Sequence, residues 1–171
     1  MVQAPPPVAA APPVAAPAPP PAAPVKVAPV AGLNQAQMDN AAAIVAAGKK
    51  AGLPKRAYVI AVATAMQESR LHNLANPHHP ESLRLPNQGV GYDFDSLGLF
   101  QQRPASGWGA PAQIMNTEYS ANKFYAALLK VPGWNTLPLT VAAQTVQGSA
   151  FPDAYADEEA GATAIVNALA P

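Results

Sequence analysis

Eleven of the chain's 21 prolines lie between Pro5 and Pro29. Proline fixes φ and removes a backbone donor, so neither helix nor sheet is compatible with such a stretch. The rest of residues 1–33 is mostly Ala and Val, and Lys26 is its one charge. The segment therefore reads as a disordered Pro/Ala-rich arm, an extended polyproline-II-like linker. The competing reading is a ligand for a proline-recognising domain. Either way the chain divides into a linker at 1–33 and a folded body at 34–171.

The body reads as mainly α. Asn34 is a natural N-cap with Gln37 three residues on. Met38, Ala41, Ile44 and Val45 follow at helical spacing. Gly52-Leu53-Pro54 closes that helix and opens a second, expected over about 54–69. Residues 72–94 are rich in Asn, Pro, Gly and His and read as a long loop, a class of segment that is often functional. Further helices are expected over Pro111–Met115, Thr117–Lys130, Leu139–Gln147 and Asp153–Leu169. Strand signals are weak.

Composition excludes several functions. Formal net charge is zero and 12% of residues are charged, so no basic patch for nucleic acid is visible. No apolar run is long enough to span a bilayer, so integral membrane association is not expected. With no cysteine, disulfide frameworks and Cys-His chemistry are out of reach. No basic region followed by an apolar stretch opens the sequence, so no secretory leader is read there. Serine-hydrolase and phosphate-loop motifs are also missing.

The second helix closes on a carboxylate. In AYVIAVATAMQES, Glu68 shares a face with Thr64, Ala61 and Ile60 at three- and four-residue spacing. That face is apolar or small and should turn toward the core or a cleft wall. Partial burial disfavours an ionised carboxyl, and so does the negative end of the helix dipole. A glutamic acid kept protonated near neutral pH is what a general acid needs. The bland reading is a surface residue at a frayed helix end.

After the loop comes Asp95-Ser96-Leu97-Gly98-Leu99-Phe100-Gln101-Gln102. Glu68-Ser69, a loop, then Gly98-Leu99-Phe100-Gln101 resembles the Glu-Ser … Gly-Leu-Met-Gln signature of soluble lytic transglycosylases and goose-type lysozymes. Residues Met115 to Tyr125 resemble the family's next helix. Leu139 to Ser149, LTVAAQTVQGS, sits where the family has an Ala-Ala-Tyr-Asn-Ala-Gly block. The similarity covers about residues 57–152 and is nearest to a variant with DSLGLFQQRP and GWG from actinobacterial cell-wall enzymes and their phages.

The resemblance implies a lysozyme-like, transglycosylase-type helical domain that cleaves the MurNAc–GlcNAc bond of peptidoglycan. Glu68 matches the catalytic acid/base, and Gly98, Leu99 and Gln101 match the cleft wall. Phe100 stands where methionine is usual. Val146-Gln147-Gly148 replaces Tyr-Asn-Ala, so the usual Tyr and Asn roles do not carry over, and Gln147 is the candidate substitute. Ser69, Ser96, Phe100, Gln102 and Trp108 join the expected substrate-binding set. No metal or organic cofactor is implied.

A hydrolase often uses two carboxylates, whereas a lytic transglycosylase can manage with one. Asp93 and Asp95 precede the glycine motif and are candidates for the second; the alternative is that one of them caps a turn. Arg103 is either a contact for substrate carboxylates or a surface charge. Trp108 is either a sugar-stacking or a packing residue, whereas Trp134 reads as closing a helix–helix turn. His72, His78, His79 and Glu81 suggest a metal site weakly, because prolines break the segment, and no metal is expected.

The expected partner is therefore the peptidoglycan glycan strand, met by a monomer outside the cytoplasmic membrane. The enzyme would be secreted, or phage-encoded and released through a holin lesion or carried on a virion. The competing class is a non-catalytic peptidoglycan-binding module of a cell-wall complex or phage particle.

Overall fold

The computed structural model describes residues 26–148 and 153–171. The described residues are mainly helical. In order they form α1 (Gln35–Lys50), α2 (Lys55–Ser69), the single turn α3 (Pro111–Ile114), α4 (Thr117–Leu128), α5 (Leu139–Gln147) and α6 (Glu159–Leu169). Short 3-10 turns occupy Ser82–Arg84, Pro104–Ser106 and Ala156–Glu158. No described residues form a named strand; isolated bridges join Leu74 to Gly98, Ala75 to Val90 and Leu97 to Gln102.

The linker expected over 1–33 lies outside the described residues as far as residue 25. Residues 26–33 contact the body. Lys26 pairs with Asp39 at 2.5 Å, and the Val27 carbonyl accepts from Gln35 Nε2. Val30 and Leu33 pack against the main core. Composition registers the prolines of this stretch and not the apolar side chains that pack on the helices.

α1 opens as its sequence suggests. Asn34 Oδ1 accepts from the Gln37 N–H at 3.0 Å, and Gln37 Oε1 accepts from the Asn34 N–H at 2.9 Å. Such caps contribute about 1 kcal/mol. α2 is the central helix. Ile60 to Ala65 are all buried, so it is enclosed on every side, by α1, α4, α5 and α6. The Phe100 and Phe124 rings stack beside it in the main core, with centroids 4.8 Å apart.

Three helices are shorter than expected, α3 by the single residue Met115. α4 stops at Leu128, two residues before Lys130. α6 begins at Glu159 rather than Asp153. The chain spends Asp153–Glu158 in turns because Tyr155 dives into the core, where it is 2% exposed. Its N–H reaches Thr140 Oγ1 at 3.4 Å.

The long loop is a tightly tied layer. Asn73 Nδ2 donates to the carbonyls of Pro86 and Met115, and Asn76 Nδ2 to those of Phe94 and Ser96. Under it lies a second small core of Ala75, Leu97, Ile114 and Met115, with Leu85 and Trp108 packed against it. Trp108 is half-buried there, which favours its packing reading. Trp134 packs on the main core and its N–H closes a turn onto Val131.

Candidate active site

Glu68 sits in the last turn of α2, half-buried. Its column partners Thr64, Ala61 and Ile60 are all at 0% exposure, so the face read from spacing is the core face. Beyond Ser69 the chain turns sharply through Arg70 and Leu71, both left-handed with φ of 52° and 58°. Neither is glycine, so the turn needs outside support. α1 supplies it. Gln37 Nε2 donates to the Arg70 carbonyl at 2.8 Å, and the buried Asn40 Nδ2 to the Leu71 carbonyl at 2.7 Å.

Glu68 has a fixed partner that sequence reasoning missed. The Tyr155 hydroxyl donates to Glu68 Oε1 at 2.6 Å. Tyr155 follows a segment, residues 149–152, that lies outside the described residues, as does Ser149 of the LTVAAQTVQGS block. Nothing local marks Tyr155 as a partner for Glu68: it stands between two alanines, inside the span expected to be helical.

The glycine motif is strapped to α2 by its backbone. The Ser69 hydroxyl donates to the Leu99 carbonyl at 2.8 Å. Gln101 Nε2 donates to the Gly98 carbonyl at 2.9 Å, and Gln147 Nε2 to the Phe100 carbonyl at 2.8 Å. Three consecutive carbonyls are thus held by three side chains, one on α2 and one on α5. Gly98 has φ 74°, and a Cβ there would meet the Ile114 carbonyl oxygen at 2.9 Å. Both facts demand glycine.

Several expected substrate contacts are therefore interior residues. Ser69, Ser96, Leu99, Phe100 and Gln102 are all buried. Gln102 pairs with Leu97 through its backbone and with the Ser120 carbonyl through Nε2. Ser96 Oγ reaches Asp93 Oδ2 at 3.2 Å. These residues pack the interior around the glycine motif. Gln101 is half-buried, in the left-handed region at φ 48°.

The two aspartates hold turns. Asp93 is exposed, and both its carbonyl and its carboxylate accept from Ser96. Asp95 pairs with Arg103 and accepts from the Ala105 N–H at 3.0 Å. Burial acts against ionisation of Asp95, but the Ala105 N–H and the Arg103 guanidinium outweigh it and hold the carboxyl below its ordinary value. Arg103 is thereby committed within the protein.

His78 Nδ1 lies 3.2 Å from Asn76 Oδ1, and His79 Nδ1 lies 3.7 Å from Glu81. Among the described residues no group of three or more His, Asp or Glu side chains is gathered for a metal. No described helix is long and apolar enough to cross a membrane. Compared with models of known protein families and with curated protein sequences, the chain matches none.

Proposed function

We propose that this chain cleaves the MurNAc–GlcNAc glycosidic bond of peptidoglycan, with Glu68 as the single general acid/base of a lysozyme-like domain. One observation carries the reading. Glu68 ends a buried helix with its carboxyl fixed by Tyr155 at 2.6 Å, and the next residue, Ser69, is bonded to the Gly98–Gln101 motif. The two motifs that resemble the transglycosylase signature are thus neighbours through a direct hydrogen bond.

In this mechanism Glu68 gives its proton to the glycosidic oxygen as the bond to the muramyl anomeric carbon breaks. The resulting carboxylate then takes a proton from the attacking oxygen. If that oxygen is the muramyl C6 hydroxyl, the product is an anhydro-muramyl end; if it is water, a reducing end. Asp95 is engaged by Arg103 and Ala105, which favours chemistry centred on Glu68. The substrate lies outside the cytoplasmic membrane, so that is where the protein would act, either as a secreted enzyme or as one supplied by a phage.

The test is digestion of purified peptidoglycan by the wild type and by Glu68→Gln, with products read by mass spectrometry. Anhydro-muramyl ends lost in the variant support a lytic transglycosylase, and reducing ends lost in the variant support a hydrolase. Binding without cleavage by the wild type points to a non-catalytic wall-binding module. Cleavage that survives in Glu68→Gln removes Glu68 from the role.

A further inference from the structure

We propose that Phe94 and Tyr92 form an aromatic platform that stacks on a pyranose ring of the glycan strand, next to the Gln101 wall; this rests on the reading of the chain as a peptidoglycan glycosidase. Phe94 is 68% exposed and Tyr92 78%. A singly exposed aromatic needs no explanation. This one does, because its presentation is built.

Phe94 has φ 44°. A bulky residue holds the left-handed region only when its surroundings impose it, and such strain gathers at functional sites. The surroundings here are specific. The Phe94 carbonyl accepts from Asn76 Nδ2 at 3.0 Å, and Asn76 is itself 0% exposed. Behind the ring stands Arg103, its guanidinium carbon 4.9 Å from the ring centroid, and Arg103 is in turn held by Asp95. A cation on one face fixes the ring's orientation and leaves the other face to solvent. Asp95, a candidate second carboxylate or turn cap, and Arg103, a candidate substrate contact or surface charge, here brace an aromatic ring.

Position ties the platform to the glycine motif. At Gly91, a Cβ would stand 3.4 Å from Gln101 Oε1, so the backbone just before Tyr92 lies against the Gln101 side chain. The apolar faces of pyranose rings stack on aromatic rings, and a polymer of alternating amino sugars offers such faces repeatedly. Trp108, the aromatic first suggested for stacking, is packed on the minor core, and Tyr92 and Phe94 are available instead.

The experiment measures binding of the full chain to insoluble peptidoglycan in a Glu68→Gln background, and KM and kcat on the same polymer in the active background. The variants are Tyr92→Ala, Phe94→Gly, the pair together, and Phe94→Trp. Phe94→Gly removes the ring and relieves the left-handed backbone, so its fold should be kept, as thermal unfolding will report. The expected result is about ten-fold weaker binding for the pair, with KM raised and kcat little changed, and affinity kept in Phe94→Trp. Unchanged binding and KM in the folded double variant overturns the platform and leaves the glycosidase reading standing. So does a folded Phe94→Trp that binds as poorly as Phe94→Gly. A parent protein that neither binds nor cleaves peptidoglycan overturns the glycosidase reading and the platform with it.

Discussion

The Tyr155 hydroxyl and the Glu68 carboxyl, 87 residues apart in sequence, meet at 2.6 Å. The phenol is buried and its backbone N–H is engaged by Thr140 on α5. Glu68 is therefore set against a fixed donor carried by the chain's last quarter, while Ser69 beside it is tied to the glycine motif. Helix end, motif and C-terminal segment are locked at adjacent residues.

Tyr155→Phe keeps the ring and deletes the donor. Under the proposed chemistry Tyr155 is a positioning residue, because its hydroxyl orients the carboxyl that moves the proton. The expected outcome is a kcat on peptidoglycan lower by about ten- to a hundred-fold, with KM little changed. Stability should fall by about 1 kcal/mol. Denaturant unfolding alongside steady-state kinetics checks both, and an unchanged kcat would reduce Tyr155 to a core residue.

Ser69→Ala separates positioning from substrate contact. The hydroxyl is buried against the Leu99 carbonyl, so its loss leaves that acceptor unpaired at about 1–3 kcal/mol. A lower melting temperature and a lower kcat at similar KM are expected. A raised KM with wild-type stability would return Ser69 to the role of a direct substrate contact.

Much of this was legible in the sequence, for physical reasons that also set the limit. The α1 cap and the burial of the Ile60–Ala61–Thr64 face of α2 are local, fixed by spacing and side-chain chemistry. The elements that turned out differently depend on distant partners. Residues 26–33 look like linker until Val30 and Leu33 meet the core. The C-terminal helix looks longer until Tyr155 is seen to leave it for Glu68. Gln102 and Ser69 look like cleft residues because polar side chains near a motif suggest contact with a ligand. Their partners are backbone carbonyls, Ser120 and Leu99, which no spacing rule points to.

Asp95→Asn tests electrostatics through its pH dependence. The folded-state pKa of Asp95 lies below its ordinary value of 3.8, so its ionised form stabilises the fold. That contribution is fully present at pH values above 3.8 and is lost as pH falls through the lower folded value. The variant should therefore be less stable than wild type at neutral pH, and the gap should close on acidification below the ordinary value. Thermal melts from neutral to acid pH check this. A gap that is constant with pH would mean that Asp95 acts through packing or its neutral hydrogen bonds.

Truncation tests where the body begins. Two versions of the chain are compared, one lacking residues 1–25 and one lacking 1–33. The second also loses the Lys26–Asp39 pair and the Val30 and Leu33 side chains from the core surface. The exposed ion pair contributes little, as surface pairs do. The two partly buried apolar side chains carry the effect, about 2 kcal/mol together. The shorter chain should melt at a lower temperature than the longer one, and the difference should persist in high salt, which screens the ion pair and spares apolar contacts. Equal melting temperatures would restore the body's start to residue 34, and a difference abolished by salt would assign it to Lys26 and Asp39.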